Sequence, residues 1–145
     1  MKRKSFLMAL IACSLSFTSC SKDGIIPFSQ LPQQAQQIVE QHFRDAEISV
    51  VMKDKDFLHT EYEVRFNNGN KVEFDKNGEL TKADCCTQPV PDAILPEPVK
   101  QYVLTNFPND YVTEWSKDDL HWKAELSSKL ELIFSRKYQY VGLDD

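Results

Sequence analysis

Apolar residues along this chain follow two different periods. Leu31, Ala35, Ile38, Val39 and Phe43 recur at helical spacing, and the spacing returns at Leu95, Val99, Tyr102, Val103 and Phe107, so each stretch predicts an amphipathic helix with one buried face. Pro32 and Pro96 stand in the first turns, where a missing N–H costs nothing, and Pro108 stops the second helix. After each helix the period drops to two. Tyr62, Val64 and Phe66 alternate with Glu61, Glu63 and Arg65, and Val72 and Phe74 flank Glu73, which is the pattern of strands buried on one side. Segments 47–53 and 111–116 are β-branched and aromatic and predict further strands. Asn67-Asn68-Gly69-Asn70 and Asp75-Lys76-Asn77-Gly78 predict tight turns, because Asn and Gly tolerate positive φ.

The elements come twice. Leu31, Pro32, Val39 and Phe43 match Leu95, Pro96, Val103 and Phe107 at an offset of 64. Downstream, Tyr62, Val64, Phe66, Val72 and Phe74 match Trp122, Ala124, Leu126, Leu132 and Phe134 at an offset of 60, placing four extra residues of the first copy around 53–59. The second copy lacks the turn glycines and has Ser127-Ser128-Lys129 and Arg136-Lys137-Tyr138 instead, so its loops are expected to be built differently. One helix and about four antiparallel strands, done twice, predict an α+β fold with the helices packed on one face of a shared sheet, since a single copy would bury little surface by itself. The expected organisation is a leader over residues 1–19, a tether over 20–28, a first repeat over 29–84, a linker over 85–91 and a second repeat over 92–145.

Charge changes the picture once the leader is considered. The chain of 145 residues carries 17 basic and 22 acidic residues, −5. Lys2, Arg3 and Lys4 are the only charges in 1–19, so removing that stretch takes the 17 basic residues to 14 against 22 and the net charge to −8. A chain of that sign is repelled by phosphate backbones, which argues against nucleic acid as a partner.

The leader itself has a basic start, an apolar run from Phe6 to Phe17, and small Thr18 and Ser19 before Cys20. It resembles a bacterial lipoprotein signal, in which the cysteine is acylated and becomes the first residue of the mature chain. The resemblance implies lipid on Cys20 and a place in the cell envelope, as an outer-membrane lipoprotein facing the periplasm or the surface. The other reading is an ordinary secretory signal in which Cys20 is incidental. Lipid chains hold by apolar burial, about 0.8 kcal/mol per methylene. Ser21-Lys22-Asp23 is similar to the short acidic signal that sends some lipoproteins to the outer surface; a plain flexible tether is the alternative. Cys85 and Cys86 remain in the linker, and adjacent cysteines close only a strained ring.

Leu31-Pro32, Ala35, Tyr62-Glu63-Val64, Gly69, Val72-Glu73-Phe74-Asp75 and Gly78, with Val90-Pro91, Ile94-Leu95-Pro96, Tyr102 and Asn106-Phe107-Pro108, resemble the PepSY-like domain of secreted bacterial proteins. The likeness covers residues 26–145. It implies a fold similar to the beta-lactamase inhibitory protein, with helices on a curved antiparallel sheet, and carries no assured activity.

Three function classes can be weighed on the residues. An enzyme needs titratable groups converging in a cleft, whereas Glu61, Glu63, Glu73 and Asp75 alternate with apolar residues as a solvated sheet face does; no catalytic residues are assigned. No cofactor or metal is expected, because His42, His59 and His121 lack zinc spacing with the cysteines and Asp118-Asp119 and Asp144-Asp145 lack a calcium loop. A protein-interaction or inhibitor-like module fits best. Its expected partners are the membrane, through Cys20, and an unidentified envelope protein meeting a charged surface that includes Arg65, Lys71 and Lys123, with Trp115 as an outward anchor. The alternative is an envelope protein that binds a small molecule or glycan by stacking on Trp115, Trp122, Tyr138 and Tyr140.

Overall fold

The computed structural model describes residues 24–144. Strand β1 (Gly24–Ile25) and a 3-10 turn (Phe28–Gln30) lead into helix α1 (Gln33–His42) and strands β2 (Ile48–Lys55), β3 (Thr60–Phe66), β4 (Lys71–Asp75) and β5 (Leu80–Asp84). Helix α2 (Glu97–Asn106) follows, then β6 (Val112–Lys117), β7 (Trp122–Leu126), β8 (Glu131–Phe134) and β9 (Tyr140–Leu143). The nine strands form one sheet in chain order, every neighbour antiparallel.

Pro32 and Pro96 take extended backbone just before the two helices and serve as their N-caps. Glu97 places a carboxylate in the first turn of α2, where the helix dipole favours it. Both helices close alike: the Phe43 N–H donates to the Val39 carbonyl at 2.9 Å and the Phe107 N–H to that of Val103 at 2.8 Å. Buried Ala35, Val39, Val99 and Val103 from the helices belong to one apolar cluster with Val51, Tyr62, Val64, Phe66, Val72 and Phe74 and with Ala83, Trp115, Ala124, Leu126, Leu132 and Phe134. Alternation along β3, β4, β7 and β8 sends every second side chain into that cluster and leaves its neighbour on the opposite face.

Two segments differ from their expected character. The tether predicted over 20–28 is, from Gly24 onward, part of the fold: Gly24 and Ile25 pair with Lys53 and Met52, and the Ile26 N–H donates to the Val51 carbonyl at 3.0 Å. The linker predicted over 85–91 is likewise built in. Cys85 and Val90 are buried, and their N–H groups donate to Thr113 and Val112 carbonyls at 2.9 and 2.8 Å. Pattern alone missed both because each is a short strip held by backbone bonds to a distant strand.

The second-half turns also depart from expectation. Lys129 and Tyr138 take φ of 72° and 61°, the left-handed conformation that Gly69 and Gly78 adopt at 91° and 86°. Their N–H groups donate to Leu126 and Ser135 carbonyls, as those of Gly69 and Gly78 donate to Phe66 and Asp75. The turns are therefore alike, and the hydrogen-bonded hairpin holds two non-glycine residues where a Cβ is disfavoured. Lys129 is exposed and its side chain only pairs with Glu125 at 2.7 Å. Lys129→Gly is expected to raise the melting temperature by a few degrees in a thermal scan followed by circular dichroism; an unchanged or lower value would show that the backbone there is not strained. Tyr138 is different, since its ring lies 6.2 Å from that of Trp122 and 6.5 Å from that of Trp115.

Candidate interaction face

The face of the sheet opposite the apolar cluster is charged, and strand register orders it into rows. One row crosses eight strands: Met52, Glu63, Glu73, Lys82, Ser116, Lys123, Ile133 and Gly142 stand directly opposite one another in turn. Beside it run Val50, Arg65, Lys71, Asp84, Glu114, Glu125 and Glu131. Beyond the first row, Asp54, Glu61 and Asp75 form a short third one. Arg65, Lys71, Lys82 and Lys123 are four cations against nine carboxylates, at Asp54, Glu61, Glu63, Glu73, Asp75, Asp84, Glu114, Glu125 and Glu131. The face is acidic.

Ion pairs offset part of that repulsion. Lys71 reaches Glu73 at 2.9 Å, Lys82 reaches Glu114 at 2.8 Å across the β5–β6 junction, and Arg65 pairs with Glu63. Lys123 pairs with Asp144 and stands 3.7 Å from Glu131. The hydrogen bonds to Glu73 and Asp144 hold the Lys71 and Lys123 ammonium groups above the usual lysine range, and that to Lys123 holds Asp144 below the usual carboxylate range. Asp84, Glu114, Glu125 and Glu131 stand abreast on four adjacent strands, where like charges directly opposite repel, and Lys82, Lys129 and Lys123 offset this at Glu114, Glu125 and Glu131 from 2.8, 2.7 and 3.7 Å. The Glu114 and Glu125 side chains are only 24% and 27% exposed.

A polar groove of about 390 Å³ opens toward the β2–β3 and β6–β7 hairpin tips. His59 comes to it from one tip and Asp118 and Asp119 from the other, with Glu73 and Lys82 between and Arg136 reaching in from the β8–β9 turn. The Asp118 carboxylate accepts the N–H groups of Leu120 and His121 at 2.8 and 2.6 Å, which lowers its pKa, while the Arg136 guanidinium donates to the Asp119 carbonyl. Among the described residues no group of three or more His, Cys, Asp and Glu side chains is placed to hold a metal ion.

The sequence-predicted site residues therefore divide. Arg65 and Lys71 are cross-strand neighbours on the charged face. Lys123 shares that face but lies three strands from Lys71, on the order of 14 Å away. Trp115 is a correction. It was expected to point outward, and it is 2% exposed, stacked on Trp122 at 4.8 Å and edge-on to Phe134 at 6.1 Å. Its register opposite Ala83 and Ala124 places it with the inward set, and the small alanines on either side leave room for an indole. Cys20 lies outside the described residues. Sequence reasoning missed Lys82, Asp84 and Glu114, because 80–84 alternates too weakly to set register and the strand of Glu114 holds a bulge.

The two remaining thiols have unlike surroundings. Cys85 is buried, and desolvation, with Asp84 adding, pushes its pKa up to about 11. Cys86 is exposed and its thiol donates to the Gly69 carbonyl at 3.3 Å. In a C13S/C20S variant, a thiol-specific disulfide reagent at neutral pH is expected to label Cys86 quickly and Cys85 only at the rate of unfolding. Two equally fast thiols would show that Cys85 is not held in the core.

The comparisons with known proteins bear on the family and the fold. The sequence profile of the "Putative beta-lactamase-inhibitor-like, PepSY-like" family matches residues 17–62 and again 60–141, and the chain belongs to this family. Among solved structures it is similar to a "putative calcium-regulated periplasmic protein" of Bacteroides thetaiotaomicron, at 41% identity and TM-score 0.81, over 85% of this chain and 97% of that one. A "putative periplasmic protein" of Bacteroides vulgatus shares 32% identity at TM-score 0.81, over 87% and 99% of the two chains. A second Bacteroides vulgatus periplasmic protein, described as of unknown function, shares the fold at 23% identity and TM-score 0.80, over 86% of this chain and 100% of that one. No curated protein sequence matches the chain.

Proposed function

We propose that the protein is a lipid-anchored, non-catalytic interaction module of the bacterial cell envelope. It is a tandem of two PepSY-like units whose helices cover one face of a common sheet, and it presents the other, acidic face to a protein with a basic surface. The observation that carries the reading is the row Asp84, Glu114, Glu125 and Glu131. Lys82, Lys129 and Lys123 reach Glu114, Glu125 and Glu131, yet the face as a whole stays acidic, and a cationic partner complements it. The periplasmic description of the structural neighbours supports the compartment, and the leader ending at Cys20 supports the anchor.

Two neighbouring readings fare less well. A sugar-stacking site needs accessible rings, whereas Trp115 is sealed in the core, Trp122 and Tyr138 are partly buried against it, and Tyr140 is stacked on Tyr102 at 4.4 Å. An aromatic inhibitory face is disfavoured for the same reason, since the inward rows hold the large rings. The test is capture of envelope proteins at low salt by the wild type and by an E114Q/E125Q/E131Q variant. Proteins retained by the wild type, released as salt shortens the screening length below about 10 Å, and lost by the variant support the reading. Equal capture by both, or hydrolysis of a peptide or ester panel by the pure protein, overturns it.

A further inference from the structure

Strands β2, β4, β6 and β8 run in one direction, so the hairpin tips at 56–59, 76–79, 118–121 and 135–139 all lie at one end of the sheet. Two of these tips share a sequence. Lys55-Asp56-Phe57-Leu58-His59 and Lys117-Asp118-Asp119-Leu120-His121 both read Lys-Asp-x-Leu-His, and they close identically, with Asp56 N–H donating to the His59 carbonyl at 2.9 Å and Asp118 N–H to that of His121 at 3.0 Å. Each turn thrusts its leucine outward. Phe57, Leu58 and Leu120 are 102%, 86% and 70% exposed, three of the four most exposed large apolar residues among those described. The tips stand four strands apart, roughly 19 Å.

Chain direction supplies the second observation. Gly24, the first described residue, lies opposite Lys53, and β1 runs antiparallel to β2, so it starts on the side facing the 56–59 tip. Cys20 precedes Gly24 by four residues, at most about 14 Å of chain. Phe57 follows Lys53 by the same number of residues, about 14 Å along the strand. Lipid on Cys20 is thus tied within reach of the plane of the tips.

We propose that this end of the sheet is a membrane-facing edge, with Phe57, Leu58 and Leu120 seated at the headgroup–acyl boundary of the bilayer that holds the lipid on Cys20. This inference rests on the lipid-anchor reading. The acyl chains supply the hold, and the tips supply a second contact that fixes orientation. Strands then stand upright on the membrane, with the acidic face turned sideways and open to a partner in the aqueous space. His59 and His121 follow the leucines at headgroup level, as amphipathic side chains do at such boundaries.

The test uses full-length protein made in a Gram-negative host, labelled with an alkyne fatty acid, and reconstituted in phosphatidylethanolamine–phosphatidylglycerol vesicles. An F57W variant is read for quenching by brominated lipid, as the difference from wild type, whose Trp115 is buried and whose Trp122, stacked on it, is half-buried. Strong quenching of F57W in fatty-acid-labelled protein is the expected result. So is a fall on the order of tenfold in vesicle retention when F57S/L58S/L120S is combined with C20S, compared with C20S alone. Protein that carries the fatty-acid label but shows no quenching overturns the membrane-facing edge and leaves the anchor standing. Protein without the label overturns the anchor and, with it, this inference. A blue shift of F57W emission that grows with protein concentration, without quenching, would assign the tips to a second copy of the chain and also overturn it.

Discussion

Gly78→Ala is expected to destabilise the fold by roughly 2–4 kcal/mol, read as a shift in the urea midpoint at unchanged slope. Gly78 holds φ at +86°, and a Cβ there would sit 2.8 Å from the Pro32 Cβ and 3.0 Å from the Ala35 backbone nitrogen. The β4–β5 turn is therefore pressed against the first turn of α1, and neither neighbour is the free end of a flexible side chain. Strain in the left-handed region accounts for the first part of the loss and displacement of the helix start for the rest. Gly69→Ala provides the control. Its φ is +91°, but the new Cβ would meet only the Cys86 Sγ at 3.5 Å, so the conformational part alone should remain. Equal losses at the two positions would show that α1 does not approach the turn at Gly78.

Trp115→Ala carries the other large expectation, a loss of about 3–5 kcal/mol. The indole is the largest fully buried side chain, stacked on Trp122, and its strand joins the two halves through Lys82–Ser116, Ala83–Trp115 and Asp84–Glu114 register pairs. Because buried residues on both sides of that junction belong to one cluster, the loss should lower a single cooperative transition, with circular dichroism and intrinsic fluorescence moving together. Two separated transitions, the earlier reporting only β6–β9, would show that the halves fold independently and that the junction is a contact between domains. The Lys82–Glu114 ion pair spans the same junction but contributes little beside this packing, because it is partly exposed.

Membership in the PepSY-like family was legible from turn and core residues, because Gly69, Gly78 and the alternating apolar positions are those that backbone geometry and burial constrain most. The charged face was legible only in part. Arg65, Lys71 and Lys123 lie in strands whose alternation is strict, so their side of the sheet follows from the sequence pattern. Segment 80–84 carries one aliphatic side chain, Leu80, and one alanine, too weak an alternation to set register, and its Lys82 and Asp84 went unassigned. Trp115 shows the same limit from the other side. Its strand holds a bulge, with the register slipping between Val112 and Glu114 so that both Val112 and Thr113 are buried. A period-two count through that segment cannot say which way the indole points.

The amino-acid order alone determined the helices, most strands, the glycine turns of the first half and the acidic balance, because each arises from the spacing of neighbours within a few residues. The tertiary structure decided what depends on strands far apart in the chain: the abreast carboxylates of β5 to β8, the inward turn of Trp115, the capture of Gly24 and Ile25 by β2, and the spacing of the two Lys-Asp-x-Leu-His tips along one end of the sheet. Register between distant strands is set by how their side chains pack against a common core, and that sum has no local signature in the chain.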